Sequence, residues 1–208
     1  MNYFSQLRIT TLLALFAILL AGCEGRKAHD MIPGTGKLMG NNVAFLVTEG
    51  FHDGETMFPM GYLMSHGANV TLIGVEQGEY TAYNSDITAV VIRSVDEVSA
   101  DDFDALVIPG GESPANLREH ENVITFVQAF VGAGKPTAAI CHGPQVLVTA
   151  DVIEGRTLTG VGGIEDEITG AGATFVDVEV MVDENIITSR TPPDLAAFSQ
   201  QIAQSLLN

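Results

Sequence analysis

Ala139-Ile140-Cys141-His142-Gly143-Pro144 is the stretch on which the reading of the fold turns. Thr137 to Ile140 form a short apolar run, as a parallel strand buried on both faces requires, and residues from about Gly143 to Ala150 read as a helix. A strand that stops at a nucleophile and turns sharply into a helix lifts the side chain clear of the backbone, forming a nucleophile elbow. Gly143 permits the close packing such a turn demands. The helix start sets partial positive charge and free N–H groups beside the sulfur, which is expected to depress the thiol below its ordinary value of about 8.5 and to supply part of an oxyanion site. The competing reading is a buried, inert cysteine.

Similar alternation extends on both sides of the elbow. Val43 to Thr48, Val70 to Ile73 and Ala105 to Ile108 are further buried strands, and Tyr80 to Val95 reads as a smaller strand pair turning near Asn84-Ser85. Helices are predicted over Glu55 to Ser65, closed by Gly67, over Asn122 to Val131, and over Asp194 to Leu207 with Asp194 as N-cap. Met57, Phe58, Met60, Leu63 and Met64 fall at helical spacing, and the methionines read as core filler rather than a cofactor box. Late strands are expected at Thr174 to Val182 and Ile186 to Ser189. Strands alternating with helices give a three-layer α/β/α sandwich around a largely parallel, flavodoxin-like sheet. In such a sheet the reactive groups gather beyond the carboxyl ends of the strands, where Thr48 to Glu55, Pro109 to Ala115 and Ile140 to Pro144 would meet.

Upstream of this domain, Arg8 precedes an apolar run from Ile9 to Ala21 that is too short to span a bilayer and ends in Leu20-Ala21-Gly22-Cys23. Small residues before a cysteine read as a bacterial lipobox. On that reading residues 1–22 are a signal peptide, Cys23 carries a diacylglycerol, residues 23–42 are a glycine-rich tether, and the domain occupies residues 43–208. An ordinary signal peptide is the alternative, and either way the domain is exported, so the expected location is the cell envelope, on the extracytoplasmic face of a bacterial membrane. The 208 residues carry 26 acidic against 9 basic side chains, a formal charge of -17. Nucleic acid is therefore excluded as a partner, and the lipid rather than a basic patch must hold the domain to a membrane. Two cysteines, Cys23 and Cys141, allow neither a disulfide framework nor a cysteine-rich zinc site.

From Val43 onward the stretches AFLVTEGFHDGETMFP, FDALVIPGGESPANLR, GKPTAAICHGPQVL and IITSRTPPDL make the chain resemble the PfpI intracellular protease family, in the superfamily of the Parkinson-disease protein deglycase with its glutamine-amidotransferase-like fold. The resemblance implies that Cys141 is the nucleophile and that His142 is the histidine following it in the protease branch. It implies too that Glu55 hydrogen-bonds the sulfur, that the N–H groups of Gly111 and His142 form the oxyanion site, and that the protein is a homodimer or higher homo-oligomer. One position departs: where the protease branch has a glutamate serving a neighbouring subunit's triad, Pro114 is followed by Ala115, with Glu112 as the nearest substitute.

Taken without the family, Glu55 is equally a first-turn acid favoured by the helix dipole. His142 is either a proton-transfer group or an exposed bystander. His52-Asp53 is too sparse for a metal and reads as a loop hydrogen-bond pair, so no metal and no cofactor are expected. Gly110-Gly111 lacks the Lys-Ser/Thr of a phosphate loop. Arg190 either orients a substrate carboxylate or phosphate or pairs with a surface acid. Three functions fit these residues. The first is a thiolate enzyme acting on reactive aldehydes such as methylglyoxal, or on their protein adducts, with Glu55 as proton shuttle. The second is a peptidase or amidase using Cys141 and His142 on a peptide or protein, and the third a redox sensor or chaperone. A glutamate protonated at Glu55 would donate to the sulfur, whereas an ionised one would repel the thiolate.

Overall fold

A computed structural model describes residues 36–207. The assigned signal peptide, Cys23 and most of the tether lie outside the described residues. Among the described residues no helix is long and apolar enough to cross a membrane.

The central sheet has seven strands in the order β10-β11-β7-β6-β1-β2-β5. They are β1 (Asn42–Leu46), β2 (Asn69–Gly74), β5 (Arg93–Ser94), β6 (Ala105–Ile108), β7 (Thr137–Ile140), β10 (Val180–Asp183) and β11 (Ile186–Ser189). All neighbours pair in parallel except β10 with β11. Alternate residues of the middle strands enter two separate cores, as the two-residue period of a strand requires. Ala44, Leu46, Leu106, Ile108 and Ala139 face one side, under α3 (Glu121–Gly132) and α4 (Pro144–Thr149). Val43, Phe45, Ala105, Val107, Ala138 and Ile140 face the other, under α1 (Asp53–Ser65) and α6 (Leu195–Ser205). The predicted three-layer α/β/α sandwich is therefore the architecture observed. Only continuous apolar runs suit strands covered on both faces, which is why the middle strands were legible.

The smaller elements depart from expectation. Within the segment expected to form a strand pair, β3 (Gly78–Thr81) and β4 (Thr88–Val91) make an antiparallel hairpin around Asn84-Ser85, but Arg93–Ser94 leaves it to join the main sheet beside β2. The predicted strand from Thr174 to Val182 is two strands: β9 (Thr174–Phe175) pairs with β8 (Thr157–Leu158), and β10 pairs with β11. Two short helices, α2 (Ser113–Leu117) and α5 (Glu165–Gly170), were not anticipated.

The fold also begins earlier than residue 43. Leu38 is 1% exposed, and its N–H donates to the His66 carbonyl at 2.9 Å. The downstream part of the assigned tether is thus packed on the domain. Gly67 closes α1 as expected: at φ +101° it lets its own N–H reach the Met64 carbonyl and that of Ala68 reach Leu63, a Schellman end. Along α1, Leu63 is buried while Phe58 and Met64 point outward, so Met64 is not core filler. Asp194 stands at the start of α6 without a side-chain capping bond, because Arg190 takes its carboxylate.

Candidate active site

The carboxyl ends of β1, β6, β7 and β11 converge, and the three predicted segments meet there. Cys141 ends β7 with φ +61°, in the left-handed region. For a residue other than glycine this costs on the order of 1–3 kcal/mol and is found where surrounding structure enforces it. Here the Cys141 N–H donates to the Ser189 carbonyl and its own carbonyl accepts from Val161 N–H, both at 3.1 Å. Gly143 is required by space: a Cβ there would run into the Ile108 carbonyl oxygen of β6 and lie 2.9 Å from that of Ile140.

Glu55, in the first turn of α1, is fully buried. Its Oε2 accepts from Gly110 N–H at 2.9 Å, and its carboxyl stands close enough to the Cys141 thiol to push the thiol pKa up. A Cβ on Gly110 would fall 2.6 Å from that oxygen and 2.7 Å from Cys141 Cβ, so glycine leaves the gap through which acid and thiol meet. The backbone N–H groups of Gly111 and His142 face the sulfur and draw its pKa down. Gly111 adopts φ +85° and bridges to Phe51. His142 places Nδ1 3.4 Å from Sγ, and burial lowers its pKa, so the ring is neutral at neutral pH.

The expectation of a depressed thiol pKa is not met. Burial first, then the charge of Glu55 and its hydrogen bond, push the Cys141 thiol up to about 12. The helical contribution is small because α4 has six residues, starts with a proline, and the neighbouring Gly143 N–H is spent on the Ile140 carbonyl. Glu55 is also raised, chiefly by burial, with the His52 ring, Gly110 N–H and Cys141 pulling the other way. Two neighbouring acids that both resist ionisation share one proton, and the protons belong to the pair rather than to either residue.

The remaining predicted residues divide. Ala115 lies exposed on α2, and Glu112 is exposed with its side chain against Gly50. Among the described residues no carboxylate pairs with His142. Arg190 stands beyond β11, but Asp194 binds its guanidinium through two hydrogen bonds of 2.8 and 3.1 Å, and Asp177 adds a third at 2.8 Å. A substrate anion would have to compete with both. His52 was read only as half of a loop pair with Asp53. Asp53 bonds Asn84 and Gly54 N–H and stands 3.4 Å from His52 Nδ1, while the ring's Nε2 stands 3.8 Å from Glu55 Oε1. Tyr83, from the loop between β3 and β4, sets its ring edge-on to His52 at 5.6 Å. The three-residue spacing from His52 to Glu55 was a usable signal, since it puts both on one side of a helical turn. Nothing local announces Tyr83, which arrives from a distant hairpin. Among the described residues no group of three or more His, Cys, Asp or Glu side chains is arranged to hold a metal ion.

The sequence model of the DJ-1/PfpI family matches residues 41–205. Protein/nucleic acid deglycase 2 of Escherichia coli K12 is 43% identical over 170 residues, covering 81% of this chain and 99% of that protein. The putative cysteine protease YraA of Bacillus subtilis is 41% identical over 163 residues, covering 78% and 96%. Among solved structures, Drosophila melanogaster DJ-1beta superposes with a TM-score of 0.76 at 27% identity, covering 81% of this chain and 91% of that one.

Proposed function

The chain belongs to the DJ-1/PfpI family, and on that footing we propose that it acts on reactive 2-oxoaldehydes or their protein adducts, as a glyoxalase or deglycase, with Cys141 as nucleophile and Glu55 as proton shuttle. It is a PfpI-family hydrolase, with relatives named deglycase and cysteine protease. The observation that carries the narrower reading is the fully buried Glu55 carboxyl, held by Gly110 N–H and set beside Cys141 across the gap that Gly110 leaves open.

The chemistry follows from that pair. With the thiol proton on Glu55, the Cys141 sulfur adds to the aldehyde carbon and the new alkoxide takes the proton, giving a hemithioacetal. The Glu55 carboxylate then removes the hydrogen on that carbon, and the enediolate charge falls toward the N–H groups of Gly111 and His142. Returning the proton to the adjoining carbon yields an acyl thioester bearing a neighbouring hydroxyl. Water cleaves the C–S bond, releasing a hydroxyacid anion and one proton and restoring the thiol. A carboxyl whose pKa is raised by burial is suited to both giving and taking a proton near neutral pH. The peptidase alternative calls for a carboxylate to orient His142, and Ala115 stands where the protease branch has its glutamate, which weighs against it. The same proposal includes the lipidated Cys23, an extracytoplasmic membrane location and assembly as a homodimer or higher oligomer.

Two mutants separate the readings. Glu55→Gln is expected to lower methylglyoxal turnover by at least about 100-fold, with His142→Ala milder. Cleavage of a labelled peptide mixture that disappears in His142→Ala, with no aldehyde turnover in the wild type, would make the protein a peptidase. Absence of both activities, with ready oxidation of Cys141, would favour the sensor.

A further inference from the structure

The two oxygens of Glu55 have different surroundings. Oε2 accepts from Gly110 N–H, while Oε1 is buried without a hydrogen-bond partner. Buried carboxylate oxygens are rarely left so, and an orphan of this kind needs a reason. The basic group facing it is His52, whose Nε2 stands 3.8 Å away, about 1 Å beyond a hydrogen bond. The other ring nitrogen, Nδ1, is also buried and unpaired, 3.4 Å from Asp53 Oδ1. Asp53 is fastened by the Asn84 side chain at 2.7 Å and by Gly54 N–H.

The backbone holds His52 in place. Its N–H donates to the Gly110 carbonyl at 3.2 Å, and its carbonyl accepts from Thr56 N–H at 3.0 Å and from the Thr56 hydroxyl at 2.9 Å. The ring therefore has freedom mainly about its own side-chain torsions, and a small rotation closes the gap to Oε1. Its side chain is 13% exposed, against none for Glu55. Asp53 and Glu55 face it from its own segment and Tyr83 from the hairpin.

We infer that His52 is a positioning residue that carries the proton of Glu55 between the buried pair and solvent, along the line Cys141, Glu55 Oε2, Glu55 Oε1, His52. The inference rests on the proposed role of Glu55. Each conversion of an aldehyde to a hydroxyacid anion leaves one proton in a site whose acid does not touch water. Glu55 gives it up from Oε1 to Nε2, the ring passes its Nδ1 proton to Asp53 Oδ1, 3.4 Å away on a side chain that reaches solvent, and exchange of the ring proton through solvent restores the starting tautomer. One proton enters the ring and one leaves it, and the carboxyl is returned to its starting state. A carboxyl bridging thiol and imidazole takes a proton on one oxygen and releases it from the other, which accounts for the unpaired Oε1.

His52→Gln and His52→Ala test this, each first checked for a native circular dichroism spectrum and melting. The first readout needs no substrate: the rate of Cys141 alkylation by iodoacetamide against pH. The ring favours the ionised Glu55, so without it the acid-side inflection of the profile is expected to move up by about one pH unit, leaving alkylation roughly tenfold slower below it. A purely structural role would lower melting and leave the inflection in place. The second readout is methylglyoxal turnover by His52→Ala with added imidazole, which is expected to restore kcat saturably without affecting the wild type. Superimposable profiles in wild type and His52→Gln, or no rescue by imidazole, would overturn the relay. If wild type turns over no methylglyoxal, the aldehyde reading fails, and the alkylation profiles still decide whether His52 governs Glu55.

Discussion

Replacing Glu55 by glutamine should make Cys141 easier to ionise while removing its catalytic use. In the wild type the thiol is pushed up to about 12, first by burial and next by the neighbouring carboxylate. A carboxylate hydrogen-bonded to the sulfur lies within about 4 Å, where two like charges at an effective dielectric constant near 20 repel by about 4 kcal/mol, equivalent to roughly 3 pH units. Glutamine removes the charge and leaves the burial. The sign follows directly: a repulsion that disfavoured the thiolate is gone, so the pH of ionisation falls. Iodoacetamide alkylation of the purified domain, followed by mass spectrometry, reads this as the alkaline limb of the rate profile. That limb is expected to move down by about 2 to 3 pH units in Glu55→Gln, even as aldehyde turnover collapses. A limb at unchanged pH would mean that no ionised carboxylate faces the sulfur, and the shared-proton description would be wrong.

Other expectations concern space, boundary and anchoring. Gly110→Ala drives a Cβ to 2.6 Å from Glu55 Oε2 and 3.0 Å from the His142 nitrogen, so it should lower stability by about 1–3 kcal/mol in denaturant unfolding and remove most turnover. Leu38→Ala should lower stability by about 2–5 kcal/mol, since the side chain is fully buried; a change near zero would return residue 38 to the tether. Cys23→Ala should abolish metabolic labelling by a fatty-acid analogue in the producing cells, and undiminished labelling would remove the lipoprotein proposal.

Much of the fold could be read from the chain because its middle strands are buried on both faces. Val43 to Leu46, Ala105 to Ile108 and Thr137 to Ile140 carry apolar residues throughout, and that pattern separates them from surface strands. Arg93–Ser94 has no such mark, being two polar residues at the sheet's edge that are strands only because β2 is beside them. The break between Phe175 and Val180 was invisible for a similar reason, since each half is defined by a different pairing partner. At the site, the elbow and its glycine were legible because steric demands on Cys141 and Gly143 are local. The ionisation of Cys141 was misread: a helix start and a repelling Glu55 can be seen in sequence, whereas the burial that does most to raise the thiol comes from folding. His52 was noticed for its neighbour Asp53, which does face the ring, but not for Glu55 on its other side, and Tyr83 was missed because its position depends on the β3-β4 hairpin.

Hydroxyacid formation from methylglyoxal, followed by proton NMR in parallel for wild type and Cys141→Ser, tests the proposed chemistry most directly. Lactate appearing with the wild type and remaining at the uncatalysed rate with Cys141→Ser is the predicted result. Equal lactate from both proteins, or none from a wild type that cleaves labelled peptides, would contradict it.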